Sequence, residues 1–504
     1  MSDNNPPAPI VKEFEIGNES RNDSRKELAA EANDEQLFSI YSNNEKMCLI
    51  IIVSVAASFS GFASNIYYPS LPKIATDLSV SVELVNLTIT SYMIFQGLAP
   101  TFWGALADVK GRRITFICTF LIFFAACVTL ANTRNYGTLV GVRCLQSAGS
   151  ASSIALGAGV IGDITTRSER GGYMGIFQAG LLVPVAVGPI IGGVLAESLG
   201  WRSVFWFLAI YSGIFVTFLA LTLPETLRSI AGNGSFSVHG VWKFPLEIYQ
   251  RRYLKRNPSE SIQTESRLPP KKSIDIWASL KALFDKRARL VIAFLALYYT
   301  VWQMTITVLS TLLESTYRLD ETQVGLAFIA NGVGSMLGSL TTGKLLDKDY
   351  TAMSAKYEGK EDEMPLDQVR LRLMWIWSTL QICSVLLFGW TLDKHIHIAV
   401  PTICTFFTGW AAMAIQSTVS TYMVDLFPNG SASASAAVNL ARCLLGAGGS
   451  AAAMPILDSI GIGWGFTMLS AILCAALVLI IVQVRFGRKW CSQYRENETQ
   501  SAEG

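Results

Sequence analysis

Twelve runs of mostly apolar residues divide this chain into six and six, near 47–69, 84–107, 114–132, 137–161, 171–196 and 203–223, then 289–313, 323–346, 373–392, 396–424, 433–457 and 464–484. Each is close to the ~20 residues that an α-helix needs to cross about 30 Å of hydrocarbon. Lipid offers no partner to a free N–H or C=O, so a run of this kind crosses a membrane as a helix. Composition agrees: of 504 residues 51% are hydrophobic and 15% charged, where a soluble chain carries roughly a quarter charged. Soluble enzymes, nucleic-acid binders and disordered scaffolds are excluded. The fold class predicted is an all-α membrane protein of twelve transmembrane helices in two pseudo-symmetric six-helix bundles, embedded in a lipid bilayer.

The segments between the runs set the domain plan. Residues 1–46 are acidic and polar and read as a disordered tail; 47–223 form the first bundle, 224–288 a polar linker, 289–484 the second bundle and 485–504 a second tail. Within the linker Ile274, Trp277, Leu280, Leu283 and Phe284 recur at helical spacing among Lys281, Lys286 and Arg287, the pattern of a helix lying on a membrane surface or packed on the bundles. Basic loops stay on the cytoplasmic side. With the N-terminus inside, the outer loops hold only Lys73, Arg134, Arg202, Arg318 and Lys394, and Arg143 and Arg442 lie inside spans; every other one of the 40 Lys and Arg falls inside. Both termini are therefore expected to be cytoplasmic. None of the nine cysteines is placed for an extracellular disulfide, and no pair has metal-ligand spacing. His395 and His397 form a weak His-x-His pair, more simply read as solvated. No metal and no cofactor is expected.

The halves repeat. Trp103-Gly104-Ala105-Leu106-Ala107-Asp108 after the second span has a counterpart in Gly343-Lys344-Leu345-Leu346-Asp347 after the eighth; Asp163 matches Asp425, and Leu195 to Phe205 has a loose counterpart in Leu457 to Phe466. Repeated halves point to a transporter whose site lies between them near the midplane. A primary pump is excluded, since no Gly-x-x-x-x-Gly-Lys-Ser/Thr is present. No His cluster or activated nucleophile marks an enzyme.

The run from Gly104 through Asp108 and Gly111 to Arg112 and Arg113 resembles the signature loop of the major facilitator superfamily. Asp108 stands four residues before Arg112, so the two can pair across one helical turn. The resemblance implies a latch that sets the balance between inward and outward states. Leu139-x-x-x-Arg143-x-x-Gln146 resembles the arginine motif of proton-linked members, with Ser147 departing from a usual Gly. Gly188-Pro189-x-x-Gly192-Gly193 is similar to the antiporter motif of drug exporters, and Pro189 leaves the carbonyl of Val185 without its helical donor, so a kink is expected. Asn65-Ile66-Tyr67-Tyr68-Pro69, Pro224-Glu225-Thr226-Leu227-Arg228 and Asn439-x-x-Arg442 resemble the twelve-span drug:proton antiporter family, in the fungal branch that contains citrate exporters and quinidine-resistance exporters. What this implies is a plasma-membrane exporter of a fungus.

Arg143 and Arg442 are the two bases inside spans, one per half, and buried charge in a membrane marks function. The first span holds no acid between Met47 and Pro69, so a cation site built on a buried carboxylate is unsupported. Two guanidinium groups suit a carboxylate, which they bind in bidentate fashion. The predicted substrate-binding set is Arg143, Gln146, Arg442, Asn439, Asn65 and Gln96, with Tyr68, Trp302, Gln303, Asn331 and Gln416 as further cavity residues. Citrate or a related carboxylate is the expected substrate of a monomer, polyspecific drug:proton antiport the alternative, and proton coupling is left open. Asp163, Asp425 and Glu314 read as solvated caps.

Overall fold

The computed structural model describes residues 39–166, 169–232, 283–354, 366–427 and 431–503, and among these it is all-α. Twelve long helices follow one another: α1 (Asn43–Asn65), α2 (Val82–Lys110), α3 (Arg112–Ala131), α4 (Tyr136–Ile164), α5 (Arg170–Leu199) and α6 (Arg202–Thr222), then α7 (Arg289–Tyr317), α8 (Glu321–Ser354), α9 (Met374–Asp393), α10 (Ala399–Leu426), α11 (Ser431–Ile460) and α12 (Ile462–Glu503). Short helices Leu71–Leu78, Arg228–Ala231 and Leu366–Arg370 connect them. Most of the linker, including Ile274, Trp277 and Leu280, lies outside the described residues, as does the tail up to 38.

Eleven helical stretches are long and apolar enough to cross a membrane. The twelfth, α2, is 29 residues long but falls short in hydropathy, because Asn86, Thr88, Thr90, Ser91 and Gln96 interrupt its apolar residues. These are affordable in lipid only on a face covered by protein, and α2 does pack between α4 and α11. Helix starts are locally encoded. Ser42 and Glu45 form a reciprocal capping box on α1, Ser81 caps α2 and Asn135 caps α4.

In the first half α1 packs on α4 and α5, and α3 packs on α4 and α6; in the second α8 packs on α10, and α9 on α10 and α12. The halves join through α2 with α11 and α5 with α8. We call the face carrying the start of α1 and the end of α12 the inner face. The cross-half contacts run from the middle of the helices to the outer face. Asn439 Nδ2 donates to Gln96 O at 3.2 Å and Thr90 Oγ1 to Ala447 O at 3.2 Å. Further out, a Cβ on Gly325 would stand 2.5 Å from Pro189 O, and one on Gly193 would stand 2.4 Å from Glu321 O. Outer residues of the first half, Tyr67, Tyr68, Leu71, Ile89, Met93 and Trp201 among them, share one continuous core with the second half. Toward the inner face Gly104, Gly172, Gly175 and Gly343 have open space around them. The molecule is closed on its outer side.

Candidate functional site

Arg143 sits on α4 with 1% of its surface exposed. Its Nη1 donates to Ala63 O of α1 at 3.1 Å and to Gln146 Oε1 at 2.6 Å; a spacing of three puts Gln146 on the same helix face. The guanidinium carbon lies 4.1 Å from the Tyr67 ring centroid and 4.5 Å from that of Tyr92. Gln146 is held in turn by Nε2 donating to Cys127 Sγ at 3.3 Å. Arg143 Nε has no partner, and no carboxylate forms an ion pair with this residue among the described residues. Two cation–π contacts in a desolvated place contribute about 2 kcal/mol each and offset part of the several kcal/mol that burying an ion costs. The site is left short of negative charge.

Arg442 repeats the arrangement on α11. Its Nε and Nη2 both donate to Asn439 Oδ1, at 3.1 and 2.8 Å, and its guanidinium lies 4.8 Å from the Tyr299 centroid. It too has no acid partner among the described residues. Asn439 thus ties Arg442 to α2 through Gln96, whose backbone carbonyl takes the bond. Asn65 donates Nδ2 to Gly61 O in its own helix at 2.8 Å and lies against Gly188, with no hydrogen bond to either arginine among the described residues. Trp302 Nε1 donates to Asn331 Oδ1 at 3.0 Å and Gln303 Nε2 to Tyr68 Oη at 2.5 Å. The rings of Tyr67, Tyr92 and Tyr299 were missed in the sequence; the only signal was tyrosine, rare in a lipid-facing run, at positions that turn inward.

The signature run is less a loop than a helix junction. α2 is helical to Lys110, Gly111 takes φ 106°, and α3 begins at once. Only glycine adopts that angle without strain. Asp108 pairs with Arg112 Nη1 at 2.7 Å, as its spacing predicts, and Arg112 Nε also bonds Asp163 Oδ2 at 3.0 Å. Glu225 supplies the missing N-terminal cap of α3: its carboxylate accepts from the backbone N–H of Arg112 and Arg113 at 2.8 and 3.2 Å and from those of Thr226 and Leu227 at 3.0 Å each. Burial nevertheless lifts this carboxyl above its usual range. Arg113 donates to the carbonyls of Leu223 and Ala220, and Arg228 Nε to Asp163 O at 3.0 Å.

The second half answers with Arg370 Nε on Asp425 Oδ2 at 2.7 Å and Nη1 on Leu346 O at 3.3 Å. Asp163 and Asp425 are thus not the solvated caps expected from sequence. Each is a partly buried member of an ion pair, formed with an arginine too distant in the chain for spacing to reveal.

The Gly188 to Gly193 motif has two faces. A Cβ on Gly188 would approach Asn65 Cβ at 3.2 Å and one on Gly192 would lie 2.0 Å from Ile66 O, both in the first half; Gly193 and Pro189 instead press on α8 of the second half. α5 runs as one helix through Pro184 and Pro189. Ser147, which stands where the motif has Gly, donates its Oγ to Tyr92 O at 2.6 Å. The tight approach to α3 occurs at Gly149, whose Cβ would meet Thr119 O at 2.7 Å.

Among the described residues Asp108 pairs with Arg112 and makes no bond to the second half. The resemblance of this run to the family's signature loop implies a latch on the inner-closed state, so Asp108→Asn is expected to slow turnover while substrate affinity changes little. Turnover and KM in vesicles check this, and an unchanged rate would count against the latch.

Comparison with known proteins agrees with this architecture. The Major Facilitator Superfamily matches residues 53–451. The protein called citrate exporter 1 of Aspergillus niger is 38% identical over 477 residues, covering 92% of this chain and 90% of that one. Quinidine resistance protein 1 of Saccharomyces cerevisiae is 33% identical over 479 residues, covering 90% and 85%. MFS antiporter QDR2 of Candida albicans is 31% identical over 472 residues, covering 92% and 93%. Among solved structures, the human organic anion transporter MFSD10 (TETRAN) shares the fold with a TM-score of 0.55 at 15% identity, covering 87% of this chain and all of that one. The chain belongs to the Major Facilitator Superfamily: it is a multi-pass membrane transporter of small molecules and not an enzyme.

Proposed function

We propose that this transporter exports a small organic anion, citrate or a related carboxylate, by alternating access. The observation that carries this is the pair of arginines, one in each half, each inside a membrane-spanning helix and neither paired with an acid among the described residues. A carboxylate supplies the charge that both lack, and guanidinium edges accept it in bidentate fashion. The similarity to a protein named as a citrate exporter supports the same reading. Arg143 and Arg442 are the anchors, Gln146 and Asn439 orient them, Gln96 lies on the seam between the halves, and Asn65 completes the set from the end of α1.

The acids of the described spans all stand within about a turn of a span end, leaving no mid-membrane proton carrier. Their placement supports export down the substrate's own gradient. The excess of Lys and Arg on the inner face supports cytoplasmic termini, and the same proposal places the protein in the plasma membrane as a monomer, with bundles 47–223 and 289–484.

Drug antiport is the competing reading, favoured by the similarity to a quinidine resistance protein. Calorimetry on the purified protein separates them. Citrate should bind saturably, and more weakly as ionic strength rises, because opposite charges are being paired. Binding of a cationic drug that citrate leaves untouched would reverse the assignment.

A further inference from the structure

We propose that Tyr68 and Gln303 bolt the outer gate, and that the two buried arginines hold this bolt shut through the rings of Tyr67 and Tyr299. The inference rests on the carboxylate reading of Arg143 and Arg442 and says how an occupied site would open the gate.

The bolt is visible as geometry. α1 ends at Asn65, and the chain turns through a 3₁₀ segment, Tyr68–Ser70, before the short helix Leu71–Leu78. Three partners of Tyr68 belong to the other half. Its hydroxyl accepts from Gln303 Nε2 at 2.5 Å, its carbonyl accepts from Ser310 Oγ at 2.8 Å, and its ring stacks on Phe328 with centroids 5.8 Å apart at 13°. Tyr68 is 2% exposed and Gln303 4%. These contacts exist only while the outer ends of α1, α7 and α8 stay together.

The connection to the site runs both ways from the bolt. Tyr67, the preceding residue, lies under the Arg143 guanidinium and is pinned by a bond between its hydroxyl and Thr88 Oγ1 at 2.9 Å. On the other side Tyr299 Oη donates to Gln303 Oε1 at 3.5 Å, and the Tyr299 ring lies at the Arg442 guanidinium. An unbroken series therefore joins the arginines: Arg143, Tyr67, Tyr68, Gln303, Tyr299, Arg442. A guanidinium attracts a ring face through its charge. A carboxylate on the guanidinium cancels much of that charge and releases the ring. Tyr67 cannot move without its neighbour Tyr68, and Tyr299 cannot move without disturbing Gln303. Release at both ends needs a carboxylate at each arginine, so the arrangement selects anions carrying at least two carboxylates. A monocarboxylate engages one end and leaves the other holding.

Fluorophores introduced through unnatural amino acids at positions 134 and 396, in exposed outer loops of the two halves, report the outer separation in the full-length protein in nanodiscs. Without ligand the wild type should show mainly the short distance. Tyr68→Phe keeps the stack on Phe328 and loses the hydroxyl, and should raise the long-distance population roughly fivefold without ligand, the effect expected of one hydrogen bond. Citrate should lengthen the distance in wild type and acetate should not. Tyr67→Leu should bind citrate without that response, whereas Tyr67→Phe, which keeps the ring, should respond. A ligand-free Tyr68→Phe distribution equal to wild type would overturn the bolt. A normal citrate response in Tyr67→Leu, or an equal response to acetate, would overturn its coupling to the arginines. Failure of citrate to bind the wild type by calorimetry would defeat the carboxylate reading instead, and the ligand-free Tyr68→Phe result would still decide the bolt.

Discussion

Arg143→Ala should abolish carboxylate export while the protein still reaches the membrane. The substitution removes the cation that we assign to the substrate, and charge-assisted bonds contribute about 1.5–3 kcal/mol each. Two such bonds correspond to a loss of roughly 10² to 10⁴ in kcat/KM. Folding should survive, because the residue removed is a buried cation that no acid compensates, and its loss relieves a desolvation cost. Lysine should not restore transport: a compact ammonium cannot make the two parallel bonds of a guanidinium, nor lie flat between the Tyr67 and Tyr92 rings. Labelled-substrate efflux normalised to surface protein checks this. Retained flux would remove Arg143 from the site.

Adjacent glycines of α5 should separate folding from cycling. A Cβ at position 192 falls 2.0 Å from Ile66 O, inside the first half, so Gly192→Ala should lower the amount of folded protein. A Cβ at position 193 falls 2.4 Å from Glu321 O, across the seam. Gly193→Ala should leave each half intact and oppose outer closure, the step that seats the halves together. Overpacking costs about 1–3 kcal/mol, which is a roughly 5- to 150-fold shift toward the outward-open state. Normal protein levels with severely reduced transport are expected, and outer accessibility should rise. Equal behaviour of the two variants would show that the motif packs without gating.

The spans were legible because lipid imposes one requirement on every crossing, a long apolar helix. α2 shows why bounded runs serve better than hydropathy alone: it was readable between Glu83 and Asp108 although its polar residues depress its average. Helix ends were less legible. The eighth run ends near 346 in sequence, whereas α8 continues to Ser354, and α12 continues to Glu503. Hydropathy marks where lipid stops, while a helix continues as long as its own hydrogen bonds hold.

In the site, what lay within one turn was readable. Asp108 with Arg112 and Arg143 with Gln146 are pairs at four and three residues. What depended on the fold was hidden: Asp163 reaches Arg112 from 51 residues away, Glu225 caps α3 from 113 residues away, and Arg370 meets Asp425 across 55. The division of labour between Gly192 and Gly193 was equally hidden, since it depends on which helix each faces.

Whether a carboxylate passes through the protein decides between carboxylate export and drug antiport. Labelled citrate should be followed into and out of vesicles containing the purified wild type, with and without an imposed pH gradient. Saturable movement down the citrate gradient, present without a pH difference, is the predicted result. No citrate movement in correctly inserted protein that does move a cationic drug would contradict it.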